Sequence, residues 1–175
     1  MYVNGIGISV KSRRGEPPSI INQTTREKIL RVMNSINAPI APLDEIITNY
    51  WTLRKSNIIP EDIDNLNPKS PFREHLNILK PLLDYFAFDG TGTKKSEEPA
   101  EYILSIGLPN DVSTWSYFSK ENYIISIWEK LKFSIRSKGT PQIIDVNKTA
   151  HQLMLPWIQE CENKKKGALS VRVKH

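Results

Sequence analysis

The sequence predicts an α+β fold. Short stretches near both ends alternate apolar and polar residues with a period of two, while the long middle places apolar residues three and four apart. Glycine and proline punctuate the boundaries between these stretches. At 175 residues the chain suits one ordinary domain or two very small ones. With 39% apolar and 25% charged residues, its composition is that of a soluble globular protein and not of a disordered tail.

Residues 5–11 alternate, with Ile6, Ile8 and Val10 on one face and Gly7, Ser9 and Lys11 on the other, the pattern of a half-buried strand. Gly15, Pro17 and Pro18 end it in a turn or extended loop. Thr24 or Thr25 can cap a first helix whose apolar face is Ile29, Val32 or Met33, and Ile36. Pro39 and Pro42 break the chain before a second helix carrying Leu43, Ile46, Ile47 and Tyr50. Ser70-Pro71 is a helix start, a capping hydroxyl followed by a proline whose missing N–H costs nothing there. The third helix then places Phe72, Leu76, Leu79, Leu83 and Phe86 on one face.

"FAFDGTGTKKSEEPAEYILSIG" follows as two short apolar strands around a tip rich in Gly, Lys and Glu, which predicts a β-hairpin. Three helices and a hairpin outline a winged helix, in which the third helix enters the major groove and the wing, with Lys94 and Lys95, meets the backbone. Beyond it, Ser119 caps a helix with Ile124, Ile127, Trp128 and Leu131 inward, and "KFSIRSKGTPQIID" reads as a strand and turn. A final helix is expected over 148–162, with Trp157 and Cys161 as core residues, and "GALSVRVKH" as a last strand. The expected segments are therefore 1–23, a strand and turn; 24–110, winged-helix-like; and 111–175, α/β. "ISVKSRRGEPPSIIN" and "FSIRSKGTPQIID" echo one another in the order Ser, β-branched, basic, Ser, then Gly, Pro and Ile-Ile. Two such short similarities do not make a repeat, and the echo reads as coincidence or a reused strand–turn design.

The net charge of +5 is unevenly spread: residues 1–31 carry +4 and residues 160–175 carry +3, so the middle carries −2. Two basic ends suit a polyanion such as DNA; solvated faces are the plain alternative. No apolar run approaches the roughly 18–20 residues that cross a bilayer, and a single cysteine excludes an internal disulfide or a cysteine-based zinc cluster. The N-terminus lacks an apolar signal-peptide core. A cytoplasmic location without membrane attachment is expected.

Most familiar catalytic patterns are missing. No glycine-rich phosphate loop occurs, and His75, His151 and His175 are too scattered for a metal motif. "GISVKSRRGEPPSIIN", however, resembles the strand and turn around the catalytic lysine of type II restriction endonucleases of the PD-(D/E)XK nuclease superfamily. In that superfamily an acid and, two residues later, a lysine share one face of a strand and address the same metal and phosphate.

The resemblance makes Lys11 the catalytic lysine and puts Ser9 in the place of the usual acid. A glutamate would then act as the ligand of Mg²⁺, with Glu27 the first candidate and Glu16, in the turn, the second. Arg13, Arg14 and Arg26 would meet backbone phosphates of double-stranded DNA, and a homodimer is implied by palindromic sites. The first metal-binding aspartate of the superfamily lies upstream of the lysine strand, and none of the six residues before Gly7 is acidic. The chain is therefore expected to be the C-terminal part of a longer nuclease, or to bind without cutting. A non-catalytic winged-helix DNA-binding or regulatory protein is the alternative, and a protein–protein adaptor the third class.

Overall fold

The computed structural model describes residues 1–12, 18–92, 94–137 and 154–174. It bears out the α+β class, with four helices and two four-stranded sheets among these residues. The strands, in chain order, are β1 (Tyr2–Val3), β2 (Ile6–Ser12), β3 (Ser19–Thr25), β4 (Ile63–Asp64), β5 (Gly90–Thr91), β6 (Lys94–Lys95), β7 (Tyr102–Ile106), β8 (Ser116–Ser119), β9 (Leu131–Arg136), β10 (Gln159–Cys161), β11 (Lys164–Lys166) and β12 (Ala168–Val173). The helices are α1 (Arg26–Ser35), α2 (Ala41–Lys55), α3 (Leu76–Asp84) and α4 (Lys120–Ile127).

The first sheet has the order β1-β2-β7-β8, with β2 and β7 parallel; the second has the order β3-β12-β9-β4 and is antiparallel throughout. One contiguous core joins them. Ile21 of β3, Ile29 and Met33 of α1, Leu43 and Ile47 of α2, Leu79 and Leu83 of α3, and Ile124 of α4 are all fully or almost fully buried in it. Phe72 and Phe133 stack face to face at 4.3 Å between ring centroids.

The apolar faces expected for α1 and α2 hold, whereas α4 ends at Ile127, and Trp128 and Leu131, expected on its face, fall in a 3-10 turn and at the start of β9. Thr25 is the N-cap position of α1 and Ser119 that of α4, although neither hydroxyl bonds a helix N–H. The third helix starts late, at Leu76, because Ser70 turns its hydroxyl to Asn65 and the backbone of Phe72 in a run of turns. Residues Tyr85–Asp89, expected as a strand, form a π-helical turn that continues α3. The hairpin does follow, but as two-residue strands β5 and β6. The strand after it, β7, leaves the hairpin and pairs with β2 and β8.

Two expectations are corrected. Residues 159–161 are strand and not the end of a helix: β10 and β11 form a hairpin whose two linking residues, Glu162 and Asn163, both take φ near +55 to +58°, as a tight two-residue turn requires. The expected helix over 148–153 lies outside the described residues. The second correction concerns β2. Its apolar face is the outer one, with Ile6 and Val10 38% and 45% exposed, while Gly7 is buried. The inner face is pressed against residues 99–100, where a Cβ on Gly7 would sit 2.4 Å from the Pro99 carbonyl oxygen. Ser9 and Lys11 therefore point inward with Gly7.

The helices are fastened to the C-terminal segment by Asp44 in the first turn of α2. Its carboxylate accepts from Arg26 at 2.8 and 2.5 Å and from the Trp157 indole at 2.7 Å, while Trp51 donates to the Trp157 carbonyl at 2.9 Å. The Arg26–Asp44 pair is 13% and 17% exposed, so removing one partner strands a charge out of water. Asp44→Ala is expected to lower unfolding free energy by about 3 kcal/mol in urea titration. Arg31→Ala, which breaks an exposed pair on α1, is expected to cost less than about 0.5 kcal/mol.

Candidate functional site

Lys11 sits near the end of β2, opposite Ser105 of β7, on the inner face of the first sheet. It makes no hydrogen bond or ion pair with any described residue. Burial alone acts on its ammonium, lowering its pKa from the ordinary 10.5. Most buried charges have a counterion.

The echo of this strand shows the difference. Arg136 occupies the corresponding place in "FSIRS" on β9, and it is fully partnered: Asp62 accepts from it at 2.6 and 2.7 Å, Glu61 lies at 3.3 Å, and its Nε donates to Ser134 at 3.0 Å. The same local pattern thus gives a neutralised structural cation in the second sheet and, in the first, one with no partner among the described residues.

Lys11 lines three cavities, of about 370, 370 and 340 Å³. The first extends toward β8 and α4 and adds Lys130, Lys174 and the hydroxyl residues Ser12, Ser105 and Ser126. The second extends toward the β5–β6 hairpin and adds Ser9, Lys94, Lys95 and Glu98. The third runs along β3 to the start of α1 and adds Asn22, Gln23, Thr25 and Lys28. Among the described residues, six lysines and one carboxylate, Glu98, line the three cavities that share Lys11. Lys174 is the one lysine of the six with an ion pair among the described residues, 3.0 Å from Asp64. A concave surface so unbalanced in charge concentrates anions.

The walls are irregular backbone. Phe86, in the π-helical turn, lines the second and third cavities. Such turns recur at functional sites because they re-aim side chains. Along the third cavity, β3 slips register against β12 twice, and Gln23 takes φ +42°. Bulges of this kind bend a strand and redirect its residues.

The sequence-expected residues divide. Lys11, Ser9, Lys94 and Lys95 line one cavity together. Glu27, the expected metal ligand, lines none of the three and pairs with Arg31 at 2.5 Å. Arg26, expected at phosphates, is held by Asp44, whose hydrogen bond raises its pKa further. Arg13, Arg14 and Glu16 lie outside the described residues. Lys28, Lys130 and Lys174 are additions; each is a single lysine far from Lys11 in sequence, with no local pattern to mark it.

Among the described residues, no three His, Cys, Asp or Glu side chains gather as a metal group would need. With Glu98 the single carboxylate beside Lys11, the described donors do not fit the magnesium site that the nuclease resemblance implies. Among the described residues no helix is long and apolar enough to cross a membrane. Comparison with protein families, curated proteins and solved structures finds nothing that matches this chain.

Because burial lowers the Lys11 pKa, the unfolded chain binds this proton more tightly than the folded one. The charged lysine then weakens the fold at every pH below its folded pKa, and the penalty fades as pH rises toward 10.5. Lys11→Met is accordingly expected to melt at a higher temperature than the parent at pH 7. The gap should narrow above pH 9 in a thermal series. A lower melting temperature at pH 7 would mean that the ammonium is stabilised by the fold.

Proposed function

We propose that this chain binds double-stranded DNA in the lysine-lined cleft around Lys11. The observation that carries the reading is Lys11 itself, a half-buried ammonium with no partner among the described residues, at the meeting point of three cavities. A fold that desolvates a cation without pairing it supports a role for that cation toward an anion from outside. Five further lysines around the same cleft make a phosphate chain a better match than a single small anion. The β5–β6 hairpin, with Lys94 and Lys95 exposed, takes the part of a wing that follows the backbone.

Phosphodiester hydrolysis is the second reading, favoured by Ser9 and Lys11 sharing the inner face of β2. In it Lys11 faces the scissile phosphate of a type II restriction-type endonuclease acting as a homodimer. It needs carboxylates beyond those the described residues bring together.

Retention of a duplex in a native gel at about 50 mM salt tests the first reading. The logarithm of affinity should fall with the logarithm of salt at about 0.9 per phosphate neutralised. Lys94→Ala and Lys95→Ala should each reduce that slope by about one. Absence of retention at low salt would leave a protein–protein adaptor as the better account. Plasmid nicking with Mg²⁺, compared between the parent and Lys11→Ala, tests the second. Cutting that survives Lys11→Ala would remove Lys11 from the reaction.

A further inference from the structure

We infer that Asn22 and Gln23 read base edges of the DNA held in the cleft, with adenine as the complementary base. This rests on the DNA-binding reading and adds the residues that would select sequence.

The register of β3 is the starting point. Thr24 faces Leu169 of β12 and Ile21 faces Val171, so three steps along β3 match two along β12. Ile21 and Thr24 are both buried, at 0% and 7% exposure. The residues between them, Asn22 and Gln23, are consequently displaced together from the core side. A second slip follows at once, with Ser19 facing Arg172. Gln23 holds the bulge in the left-handed region at φ +42°, which a side chain other than glycine's adopts with strain. Of the six non-glycine residues with positive φ among the described residues, Gln23 is the one that lines a cavity beside Lys11.

The chemistry of that task follows from the surroundings. Asn22 and Gln23 line the third cavity with Lys11 and Lys28, and Gly92 of the hairpin lies across it. No described residue bonds either side-chain amide; the Asn22 backbone carbonyl accepts from the Thr24 hydroxyl. Lysines offer donors alone and hold phosphates without discriminating bases. An amide offers a donor and an acceptor side by side, and Asn or Gln pairs with N6 and N7 of adenine through both. Two side-chain amides and two lysines, none of them with a side-chain partner among the described residues, therefore form a reading head between phosphate grips.

The test is selection of duplexes from a random pool by gel retention at about 50 mM salt, followed by sequencing, with the full chain. Asn22→Ala and Gln23→Gly are compared with the parent and with Lys69→Ala, a lysine that lines none of the three cavities. The parent is expected to enrich a motif containing A·T pairs. Each cleft variant should lose tenfold or more of the discrimination at one or two of those positions, the worth of a bidentate base contact. Affinity for unselected duplex should fall less than threefold with its salt slope kept, since no charge is removed. Gln23→Gly should melt no lower than the parent, which separates lost reading from lost folding. The same motif with the same discrimination in both variants would overturn the inference, as would a parent that retains duplex but enriches nothing. A parent that retains no duplex would overturn the DNA-binding reading together with this one.

Discussion

Asp44, in the first turn of α2, accepts from Arg26 at the first position of α1 and from the indole of Trp157, which in turn accepts from Trp51 through its carbonyl. Three segments meet at this carboxylate, one 18 residues before it in the chain and one 113 residues after it. The consequence for the cleft is direct, because Arg26 follows the last residue of β3. Anchoring Arg26 fixes where β3 ends and α1 begins, and with it the bulged stretch and Lys28. A largely buried ion pair contributes little net stability but much to having one arrangement instead of several. Here that arrangement is the wall of the third cavity.

Against this frame of satisfied charges, Lys11 stands apart. Lys166, the most buried of the described lysines at 5% exposure, is held by Glu61 at 2.6 Å and Glu162 at 2.9 Å. Lys80 and Lys120 are held by Asp84 and Asp89. The fold thus pairs cations that serve structure with carboxylates, and among the described residues none pairs with Lys11. The contrast with Arg136 sharpens this, since an equivalent strand pattern in the other sheet is neutralised by Glu61 and Asp62. Local sequence sets the strand; tertiary placement decides whether its cation is neutralised by carboxylates of the described residues, as Arg136 is.

That division also explains what the sequence made legible. The helices α1, α2 and α4 and the strands β2, β9 and β12 were legible from their apolar patterns, although β9 and β12 are buried on both faces. The face that β2 buries was not legible. Alternation shows two faces, but Ile6 and Val10 are turned outward because Gly7 alone permits the close approach of residues 99–100. The strand β3 was not legible in the sequence, which predicts a turn or extended loop before the Thr24–Thr25 cap; both the strand and its bulges are set by pairing with β12, far away in the chain. The resemblance of the lysine strand brought attention to Lys11 and Ser9, and the winged-helix outline to Lys94 and Lys95; the four do share a cavity. It could not locate Lys28, Lys130 or Lys174, which reach the cleft from helices and strand ends that only the folded chain assembles. Glu27 and Arg26 were drawn to it by nearness in sequence, and the fold uses both in pairs on or beside α1.

Lysine protection measures the central claim most directly. Reductive methylation of the chain alone and with excess duplex, read by mass spectrometry, reports each ammonium separately. If DNA occupies the cleft, Lys11, Lys28, Lys94, Lys95 and Lys130 lose reactivity on adding duplex, while the exposed Lys69, Lys164 and Lys165 remain as reactive as before. Protection of Lys164 and Lys165 with the cleft lysines unchanged would place the nucleic acid elsewhere and contradict the account.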